Sequence, residues 1–366
     1  MEGTKTWDLM NLRTPLIGII ISGYLNEKEL KNINKFILNK KLFKLTIEYR
    51  FKKKQIKEIK EISKIKEYEV NFGIIIFCHL KNFNRDLIAV AGLSGGLEII
   101  NFKTNERSNE IILHSDTINS IVDFERENMN ILASSSYDHT IKFLNLQTLK
   151  PVFSPINCEF IVYFMKVIKI YDKIYFLTST FQSYNLRCIN TMDSLYTVKL
   201  HGNYIYKVIQ TKALNPESFL TCSYDGTIRF SNCKSTKNNS TLAIHNSAVW
   251  GLGYLKRYNK EMCISGSWDH TIKIYNFVKN ELIKSISTDP NNAKHFCQFP
   301  FLKNRIVLIS HGGKIQFYDL IKNELIYEFQ LHTKDIYWFA ALKDENNNYC
   351  FISSSIDRKL IFQKIS

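Results

Sequence analysis

The sequence predicts an all-β fold of seven four-stranded units, preceded by a short α-helical segment over residues 1–61. Three observations predict it. A short pattern built around one aspartate recurs along the chain, a histidine precedes each of these aspartates at a nearly constant distance, and the recurring segments alternate apolar and polar residues as strands do. The first 61 residues lack all three features and place their apolar residues at helical spacings.

The aspartate pattern occurs in four segments: SSYDHTIKFLNL, CSYDGTIRFSNC, SGSWDHTIKIYNF and SSIDRKLIFQK. Their aspartates are Asp138, Asp225, Asp269 and Asp357, which are 87, 44 and 88 residues apart. These gaps are one or two repeats of about 44 residues, a length typical of a four-stranded repeat. The aspartate pattern therefore indicates a structural repeat of the fold.

Each of these aspartates has a histidine partner in the sequence. His114, His201 and His245 stand 24 residues before their aspartates, and His332 stands 25 residues before Asp357. Serines lie nearby, so each set could be taken for a catalytic triad. Catalytic triads depend on one positioned nucleophile, whereas these sets are periodic. We therefore expect structural His–Asp pairs and no enzyme activity.

The skipped repeats complete the count. Steps of about 44 residues reach Ser94, Gln182 and Gly312, each inside a segment that has the strand–turn–strand shape without the aspartate. Seven turn positions result, at 94, 138, 182, 225, 269, 312 and 357. In one of them, Gly226 follows the aspartate and offers the positive φ that a tight turn requires.

With these repeats the chain resembles the WD-repeat β-propellers over residues 62–366. The resemblance implies that each histidine and aspartate are hydrogen-bonded and that a strand hydroxyl joins them. The candidate hydroxyls are Ser136, Ser223, Ser267 and Ser355. The tryptophan of the family, six residues after the aspartate, is replaced by Leu144, Ser231, Tyr275 and Gln363.

The two ends of the repeat region are expected to meet. The chain stops after the third strand of the last unit, near Leu360–Lys364, so that unit needs a fourth strand. The segment around Ile65–Glu69 precedes the first complete unit and can supply it. Pairing of these two strands leaves no open edge, which protects the ring from aggregation.

The segment over residues 1–61 resembles an F-box followed by a basic linker helix. The resemblance covers about residues 13–47, where Thr-Pro replaces the usual Leu-Pro and Phe43 stands where a tryptophan is expected. It implies docking to a Skp-type adaptor through apolar side chains. The candidate adaptor-binding residues are Leu16, Ile20, Leu25, Leu30 and Ile33. A LisH-type dimerisation hairpin and an unclassified helical cap are the alternatives.

Charge is concentrated at the same end of the chain. The net charge is +15, and residues 1–66 contribute +9 of it with 16 Lys and Arg against 7 Asp and Glu. The basic residues fall mainly within Lys40–Lys66. Such a stretch can bind nucleic acid. A solvated helix face is the better interpretation, because the mixture of aromatic and basic residues that RNA-stacking modules use is absent.

Other classes of site find no support in the sequence. The eight cysteines are scattered without a C-x-x-C spacing, which predicts reduced thiols in the cytoplasm or nucleus and no zinc site. No phosphate-binding glycine motif occurs, so no cofactor is predicted. No apolar run reaches the roughly 18 residues of a membrane span.

The resemblance also implies which residues face a partner. In WD-repeat proteins, the slot before each turn aspartate and two slots at the start of each first strand reach one face of the ring. Aromatic residues fill these slots to an unusual extent: Tyr137, Tyr204, Tyr206, Tyr224, Trp250, Trp268 and Tyr337. Binding hot spots favour Trp and Tyr. We therefore expect a protein or peptide partner on this face, although several of these rings could simply pack between blades.

Two functions are consistent with these features, and neither is catalytic. The first is the substrate receptor of an SCF-type cullin–RING ubiquitin ligase, with the N-terminal helices bound to the adaptor and the propeller holding the substrate. The second is a general WD-repeat scaffold in RNA processing, trafficking or ribosome assembly. Fold alone does not choose between them.

Overall fold

The computed structural model describes residues 62–211, 215–235, 239–257, 260–287, 295–297, 305–309, 313–319, 324–343 and 349–365. Within these ranges the regular structure consists of β-strands and one short 3-10 turn, Leu93–Gly95. The predicted helical segment lies outside the described residues, and so do the five candidate adaptor-binding side chains.

The first half of the repeat region contains thirteen strands in the described residues. They are β1 (Ile62–Glu69), β2 (Ile74–His79), β3 (Leu87–Gly92), β4 (Gly96–Asn101), β5 (Ile111–Ile112), β6 (Ile118–Arg126), β7 (Met129–Ser136), β8 (Thr140–Asn145), β9 (Lys150–Asn157), β10 (Phe164–Ile170), β11 (Lys173–Ser179), β12 (Phe181–Cys188) and β13 (Ser194–Thr211). Their β-branched and aromatic residues favour extended backbone.

The second half contributes the remaining described strands. They are β14 (Ser218–Ser223), β15 (Thr227–Asn232), β16 (Ser240–Ile244), β17 (Val249–Arg257), β18 (Lys260–Ser267), β19 (Thr271–Asn276), β20 (Glu281–Ser287), β21 (His295–Cys297), β22 (Arg305–Ile309), β23 (Lys314–Asp319), β24 (Glu324–Gln330), β25 (Ile336–Lys343), β26 (Tyr349–Ser355) and β27 (Lys359–Ile365).

These strands form antiparallel sheets in which each strand pairs with its neighbour in the chain. Four sheets of four strands are β2–β5, β6–β9, β17–β20 and β21–β24. Strands β10–β16 form one seven-stranded sheet because the 18-residue strand β13 pairs with β12 through its first half and with β14 through its second half. Hairpin connections make this order the natural one for consecutive antiparallel strands.

The sixth sheet joins the two ends of the repeat region. Strand β1 pairs antiparallel with β27, which pairs with β26 and β25. Glu67 lies opposite Ile361 and Tyr68 opposite Leu360, and the Val70 N–H donates to the carbonyl of Arg358 at 3.0 Å. This is the pairing predicted from the sequence. It gives the sheet of β25–β27 its fourth strand, β1.

The core lies between the faces of neighbouring sheets. Strand β2 contacts β6 and β25, β6 contacts β10, β13 contacts β17, and β21 contacts both β17 and β25. Apolar side chains fill each space between sheets; Ile74 and Val90 pack with Ile352 and Leu360, for example. Each such side chain stabilises the fold by about 1.5–3 kcal/mol relative to full exposure. The closed cycle of sheets fits a WD-type β-propeller.

The turns between second and third strands share one backbone feature. A residue in the left-handed region occurs in each described turn or at the start of the strand after it: Ser94, Gly95, His139, Gln182, Gly226, His270, Gly313 and Arg358. Ser94 lies in the turn between β3 and β4, as predicted from the spacing alone, whereas Gln182 is the second residue of β12. Gly226 has a second reason to be glycine, because a Cβ there would lie 2.8 Å from the carbonyl oxygen of His245.

Candidate protein-binding face

The four predicted His–Asp pairs form hydrogen bonds at one end of the sheets. In each pair the histidine ring is buried and its Nδ1 atom faces the aspartate carboxylate. The Nδ1–Oδ2 distances are 2.8 Å for His114–Asp138, 2.9 Å for His201–Asp225, 2.9 Å for His245–Asp269 and 3.0 Å for His332–Asp357. Three of the histidines stand in the connection before a first strand and His201 stands within β13, and each is joined to the turn between the second and third strands of its repeat.

The carboxylate of each pair collects further donors. Asp138 accepts the backbone N–H of Ser115 at 3.2 Å and of Thr140 at 2.9 Å, and it accepts the Thr140 hydroxyl at 2.6 Å. Asp225 and Asp269 have the same set of donors from equivalent positions. The threonine two residues after the aspartate was not singled out from the sequence, although three of the four copies carry it.

The strand hydroxyl in each set is two residues earlier than predicted. The Nε2 atoms contact Ser134 at 2.7 Å, Thr221 at 2.7 Å, Ser265 at 2.9 Å and Ser353 at 2.8 Å. The predicted Ser136, Ser223, Ser267 and Ser355 lie on the same face of each strand but closer to the turn. The prediction was wrong because Nδ1 faces the aspartate near the turn, so Nε2 on the far side of the ring meets the hydroxyl that lies two residues farther from the turn.

The serines of the earlier prediction stabilise the turn instead. Ser136 accepts the backbone N–H of Asp138 at 3.1 Å and donates its hydroxyl to the carbonyl of Asp116 at 3.0 Å. The other three form the same pair of bonds, with distances between 2.9 and 3.3 Å. Alternate residues of a strand share a face, so both hydroxyls point toward the histidine side.

The protonation states match a structural role. Burial lowers the pKa of His114, His201 and His245, and their aspartates raise it only in part. Burial alone would raise the pKa of Asp138, but bonds from Thr140 and His114 hold it at about 2. The imidazoles are therefore neutral, with Nδ1–H donating to the carboxylate and Nε2 accepting from the hydroxyl.

These sets cannot expose a nucleophile. The hydroxyl that contacts Nε2 is fully buried at each of the three serine positions, Ser134, Ser265 and Ser353. A nucleophilic serine must reach the substrate carbonyl, and water has no access here. Within the described residues no group of three or more His, Cys, Asp or Glu side chains is arranged to hold a metal ion.

A basic residue four positions after the aspartate supports the loop before the histidine. Lys142 Nζ donates to the carbonyl of Leu113 at 3.0 Å and lies 3.8 Å from the Asp138 carboxylate. Arg229 and Lys273 donate to the carbonyls of Leu200 and Ile244, the residues that directly precede the paired histidines. The signal was in the sequence, since three of the four copies of the pattern have Lys or Arg at this position.

The positions of the missing tryptophans are buried, and one is compensated. Leu144, Ser231, Tyr275 and Gln363 have relative exposures of 0%, 0%, 5% and 4%. The hydroxyl of Tyr184, a fully buried ring of the preceding strands, lies 3.0 Å from the Ser231 hydroxyl. A large side chain from the neighbouring repeat thus occupies space next to a residue that is too small to fill it.

A continuous group of rings, here named the aromatic row, covers the turns at the His–Asp end. It comprises Tyr137, Tyr163, Tyr204, Tyr206, Tyr224, Trp250 and Trp268. The centroid distances along it are 5.9 Å (Tyr137–Tyr163), 5.1 Å (Tyr163–Tyr204), 5.0 Å (Tyr163–Tyr206), 3.7 Å (Tyr206–Trp250), 5.2 Å (Trp250–Trp268) and 6.2 Å (Tyr224–Trp268). The structure therefore brings six of the seven predicted partner-facing residues together.

Exposure differs along the aromatic row. Tyr137, Tyr224 and Trp268, which precede the turn aspartates, are 36%, 45% and 36% exposed. Tyr206 and Trp250, which begin first strands, are half-buried and stacked with an interplanar angle of 16°. The stacked pair thus packs between sheets, as the blade-packing interpretation expects, while Tyr137, Tyr224 and Trp268 are the more exposed members of the row.

Tyr337, the seventh predicted residue, is half-buried at the start of β25. Burial raises its pKa, and the neighbouring Asp335 and Tyr137 raise it further. Its interaction with Tyr137 places Tyr337 on the same side of the sheets as the aromatic row. Burial also raises the pKa of Tyr206 and Tyr163, so the hydroxyls of these residues remain protonated donors.

Tyr163 was missed by sequence reasoning. It contacts three other tyrosines and connects Tyr137 to the rest of the aromatic row. The repeat that contains it lacks the histidine and the aspartate from which the partner-facing positions are counted in the other repeats. The repeat length was the available signal, because Tyr163 lies 43 residues before Tyr206. Phe181, which packs on Tyr204 at 5.1 Å, belongs to the same repeat.

Comparison with known proteins identifies one repeat directly. Residues 236–276 match the family model of the WD domain, G-beta repeat (WD40), and this segment contains His245, Trp250, Trp268 and Asp269. Coatomer subunit beta'-2 of Arabidopsis thaliana is 29% identical over 105 residues, which cover 28% of this chain and 11% of that protein's length. The chain therefore contains a WD40 repeat, and WD repeats indicate a protein-interaction scaffold.

The described residues contain no helix with the length and apolar content that crossing a bilayer takes.

Proposed function

We propose that this chain is a non-catalytic interaction scaffold of the cytoplasm or nucleus, built on a seven-bladed propeller over residues 62–366. It binds a protein or peptide partner on the face that carries the aromatic row. The observation that carries the proposal is the row itself: seven Tyr and Trp rings in contact, three of them more than a third exposed.

The blade count is supported by where His201 lies. The other three paired histidines stand in the connection between the last strand of one sheet and the first strand of the next. His201 stands within β13, where pairing changes from β12 to β14. Dividing β13 at this residue gives two four-stranded blades from the seven-stranded sheet, and thus seven blades in all.

The aromatic row has the composition of a binding hot spot. Tyr and Trp bury a large area on binding and lose little rotamer entropy, whereas most exposed side chains are polar. The row is held in place from below by the His–Asp pairs, so its rings are organised before a partner arrives. Preorganisation lowers the entropic cost of binding.

The test is partner capture with matched aromatic variants. The full-length protein, Trp250→Ala with Trp268→Ala, and the control Tyr171→Ala with Tyr327→Ala are each immobilised, and retained proteins are identified by mass spectrometry. Tyr171 and Tyr327 are 60% and 42% exposed and lie outside the aromatic row. We expect partners to be lost only with the first pair of substitutions, with melting temperature measured for every variant.

Retained partners together with a large fall in melting temperature would overturn the proposal, since the rings would then serve blade packing. Loss of the same partners with the control pair would also count against it, because binding would not be specific to this face.

The complex in which the scaffold works has two candidates. The F-box resemblance of residues 13–47 favours the substrate receptor of an SCF-type ligase, with Leu16, Ile20, Leu25, Leu30 and Ile33 on the adaptor. The similarity to a coatomer subunit favours a general scaffold in trafficking. The described cysteines are free thiols, which is compatible with the reducing environment of the cytoplasm or of the nucleus.

Deleting residues 1–60 separates the two candidates. A substrate receptor should lose its Skp-type adaptor on deletion and also with Leu30→Asp plus Ile33→Asp, while partners of the aromatic row remain bound. Absence of any Skp-type adaptor from the full-length sample would assign the chain to the general-scaffold class.

A further inference from the structure

From β6 to β20, the loops and turns that carry the aromatic row contain no Lys or Arg, although the chain is strongly basic. The protein has 49 Lys and Arg among 366 residues. None of them falls in the loops and turns that form this face in the sheets from β6 to β20. These segments are residues 114–119, 135–140, 158–164, 179–184, 201–206, 222–227, 244–250 and 266–271.

Acidic groups do occur in these segments. Asp116 and Glu159 are exposed, and Asp138, Asp225 and Asp269 each directly follow a ring of the aromatic row in the chain. Hydrogen bonds from His114 and from the Thr140 hydroxyl keep the Asp138 carboxylate ionised, and the Nζ atom of Lys142 lies 3.8 Å from it.

The cations nearest to these carboxylates are directed away from the rings. Lys142 and Arg229 project from third strands and donate to backbone carbonyls below the turns. Lys334 and Arg358 are exposed on the sheet of β25–β27, and the Lys334 carbonyl accepts the Ser355 hydroxyl as the Asp116 carbonyl accepts that of Ser136. Positive charge at this end of the sheets is therefore carried by the repeat of β25–β27, whereas the segments around Tyr224 and Trp268 contain no Lys or Arg.

The exposed rings present the geometry that attracts a cation. The faces of aromatic rings carry partial negative charge. Tyr224 and Trp268 stand at 74° to each other with centroids 6.2 Å apart, so two exposed rings form a corner, and each ring directly precedes a turn aspartate, Asp225 or Asp269. The cation–π contacts formed within the chain at Phe153, Trp338 and Tyr171 lie outside the aromatic row.

We propose that the partner of this face is a peptide segment that inserts a cationic side chain, lysine or arginine, against Tyr224 and Trp268. This inference rests on the proposed function and adds the chemical class of the ligand. The segments around Tyr224 and Trp268 (residues 201–206, 222–227, 244–250 and 266–271) contain no Lys or Arg, so an anionic side chain inserted there would have no cation of these segments to pair with, and burial of an unpaired charge is costly. A cationic segment meets ring faces and carboxylates together.

The probe is a set of fluorescein-labelled peptide pools of equal length with one fixed central residue. The central residue is Lys, Arg, Gln, Glu or phosphoserine, and the flanking positions are randomised over uncharged residues. Binding to the full-length protein is measured by fluorescence polarisation at about 0.05 M salt. We expect the Lys and Arg pools to bind about tenfold more tightly than the Gln pool, and the Glu and phosphoserine pools more weakly than Gln.

Three variants locate the effect. Tyr224→Ala with Trp268→Ala should reduce binding of the Lys pool to the level of the Gln pool, while Tyr171→Ala, at another exposed aromatic residue, should leave it unchanged. Asn246→Lys places a cation on an exposed position of the face and should weaken the Lys pool several-fold. Because Asn246 is exposed, this variant should fold normally, which a matched melting temperature verifies.

The outcomes separate this inference from the proposed function. Equal binding of the Lys and Gln pools, or preference for Glu or phosphoserine, overturns the cationic ligand while capture of partners through Trp250 and Trp268 can still stand. Preference for Lys that survives Tyr224→Ala with Trp268→Ala also overturns it, because the cation would then bind elsewhere. If replacing the rings leaves both the binding of the peptide pools and the capture of partners unchanged, both proposals are overturned.

Discussion

Replacing Asp138 with alanine tests whether the His–Asp pairs hold the sheets together at this end. The Asp138 side chain is 8% exposed and accepts four hydrogen bonds, from the Nδ1–H of His114, the N–H groups of Ser115 and Thr140, and the Thr140 hydroxyl. The substitution removes the acceptor for all four donors at once.

The free-energy cost of losing the carboxylate differs among the four donors. Ser115 is exposed and Thr140 is partly exposed, so water can replace the carboxylate at their groups. The His114 ring has no exposed side-chain area, so its Nδ1–H loses the carboxylate and retains only the Thr140 hydroxyl nearby, at 3.2 Å. An unsatisfied buried donor costs about 1–3 kcal/mol, and losing a charge-assisted bond costs about 1.5–3 kcal/mol. We expect Asp138→Ala to lower the free energy of unfolding by about 3 kcal/mol.

Urea denaturation followed by circular dichroism measures this loss, and the control is Asp116→Ala. Asp116 is an exposed aspartate of the same loop whose carboxylate accepts the N–H of Thr117 at 2.6 Å. Its replacement should change the free energy of unfolding by about 0.5 kcal/mol or less. If both variants lost the same stability, or if Asp138→Ala lost under about 1 kcal/mol, the structural role of the pair would be refuted.

Three further predictions address other parts of the fold. Acidification should lower the free energy of unfolding in two stages. The first begins below about pH 6.5, because the unfolded state protonates histidines whose native pKa is lowered by burial, and the second below about pH 4, because native carboxylates with a lowered pKa resist protonation. A free energy of unfolding that stays unchanged between pH 7 and 5 would contradict the first stage. Gly226→Ala should cost about 1–2 kcal/mol because φ is +79° and the new Cβ would approach a carbonyl oxygen, whereas Gly202→Ala, with no contact shorter than 4.0 Å, should be nearly neutral in the same urea titration. Tyr184→Phe should lower the melting temperature by a few degrees through loss of its bond to Ser231, and Tyr171→Phe should not; equal melting temperatures would show that this bond does not contribute.

Features that repeat along the chain were predictable because each copy supports the others. The spacing of Asp138, Asp225 and Asp269 indicates the turns, and the constant distance to the preceding histidines indicates which residues meet. Gln182, the second residue of β12, has left-handed backbone and lies two residues after the turn residue Thr180, so the repeat length comes close to a turn even where the aspartate is absent. The pairing of β1 with β27 followed from the need to close an open sheet edge.

Contacts that depend on how far a side chain lies from the turn, or on a neighbouring sheet, were not predictable in the same way. Ser134 and Ser136 lie on the same face of β7, so alternation could not say which one meets Nε2 of His114. Tyr163 belongs to a repeat without the signature, and its contacts come from two other repeats. The partner of Ser231 is likewise a ring from the preceding strands, Tyr184.

By itself the sequence determined the repeat, the strand pattern, the turns and the His–Asp partners, because hydrogen bonding along a strand and between hairpin neighbours is a local property of the chain. Tertiary structure decided which hydroxyl completes each pair, which side chains replace the missing tryptophans, and which aromatic rings form one exposed row. Those outcomes depend on distances between residues of different sheets, such as the 3.7 Å stacking of Tyr206 on Trp250, and side-chain packing across a sheet interface sets such distances.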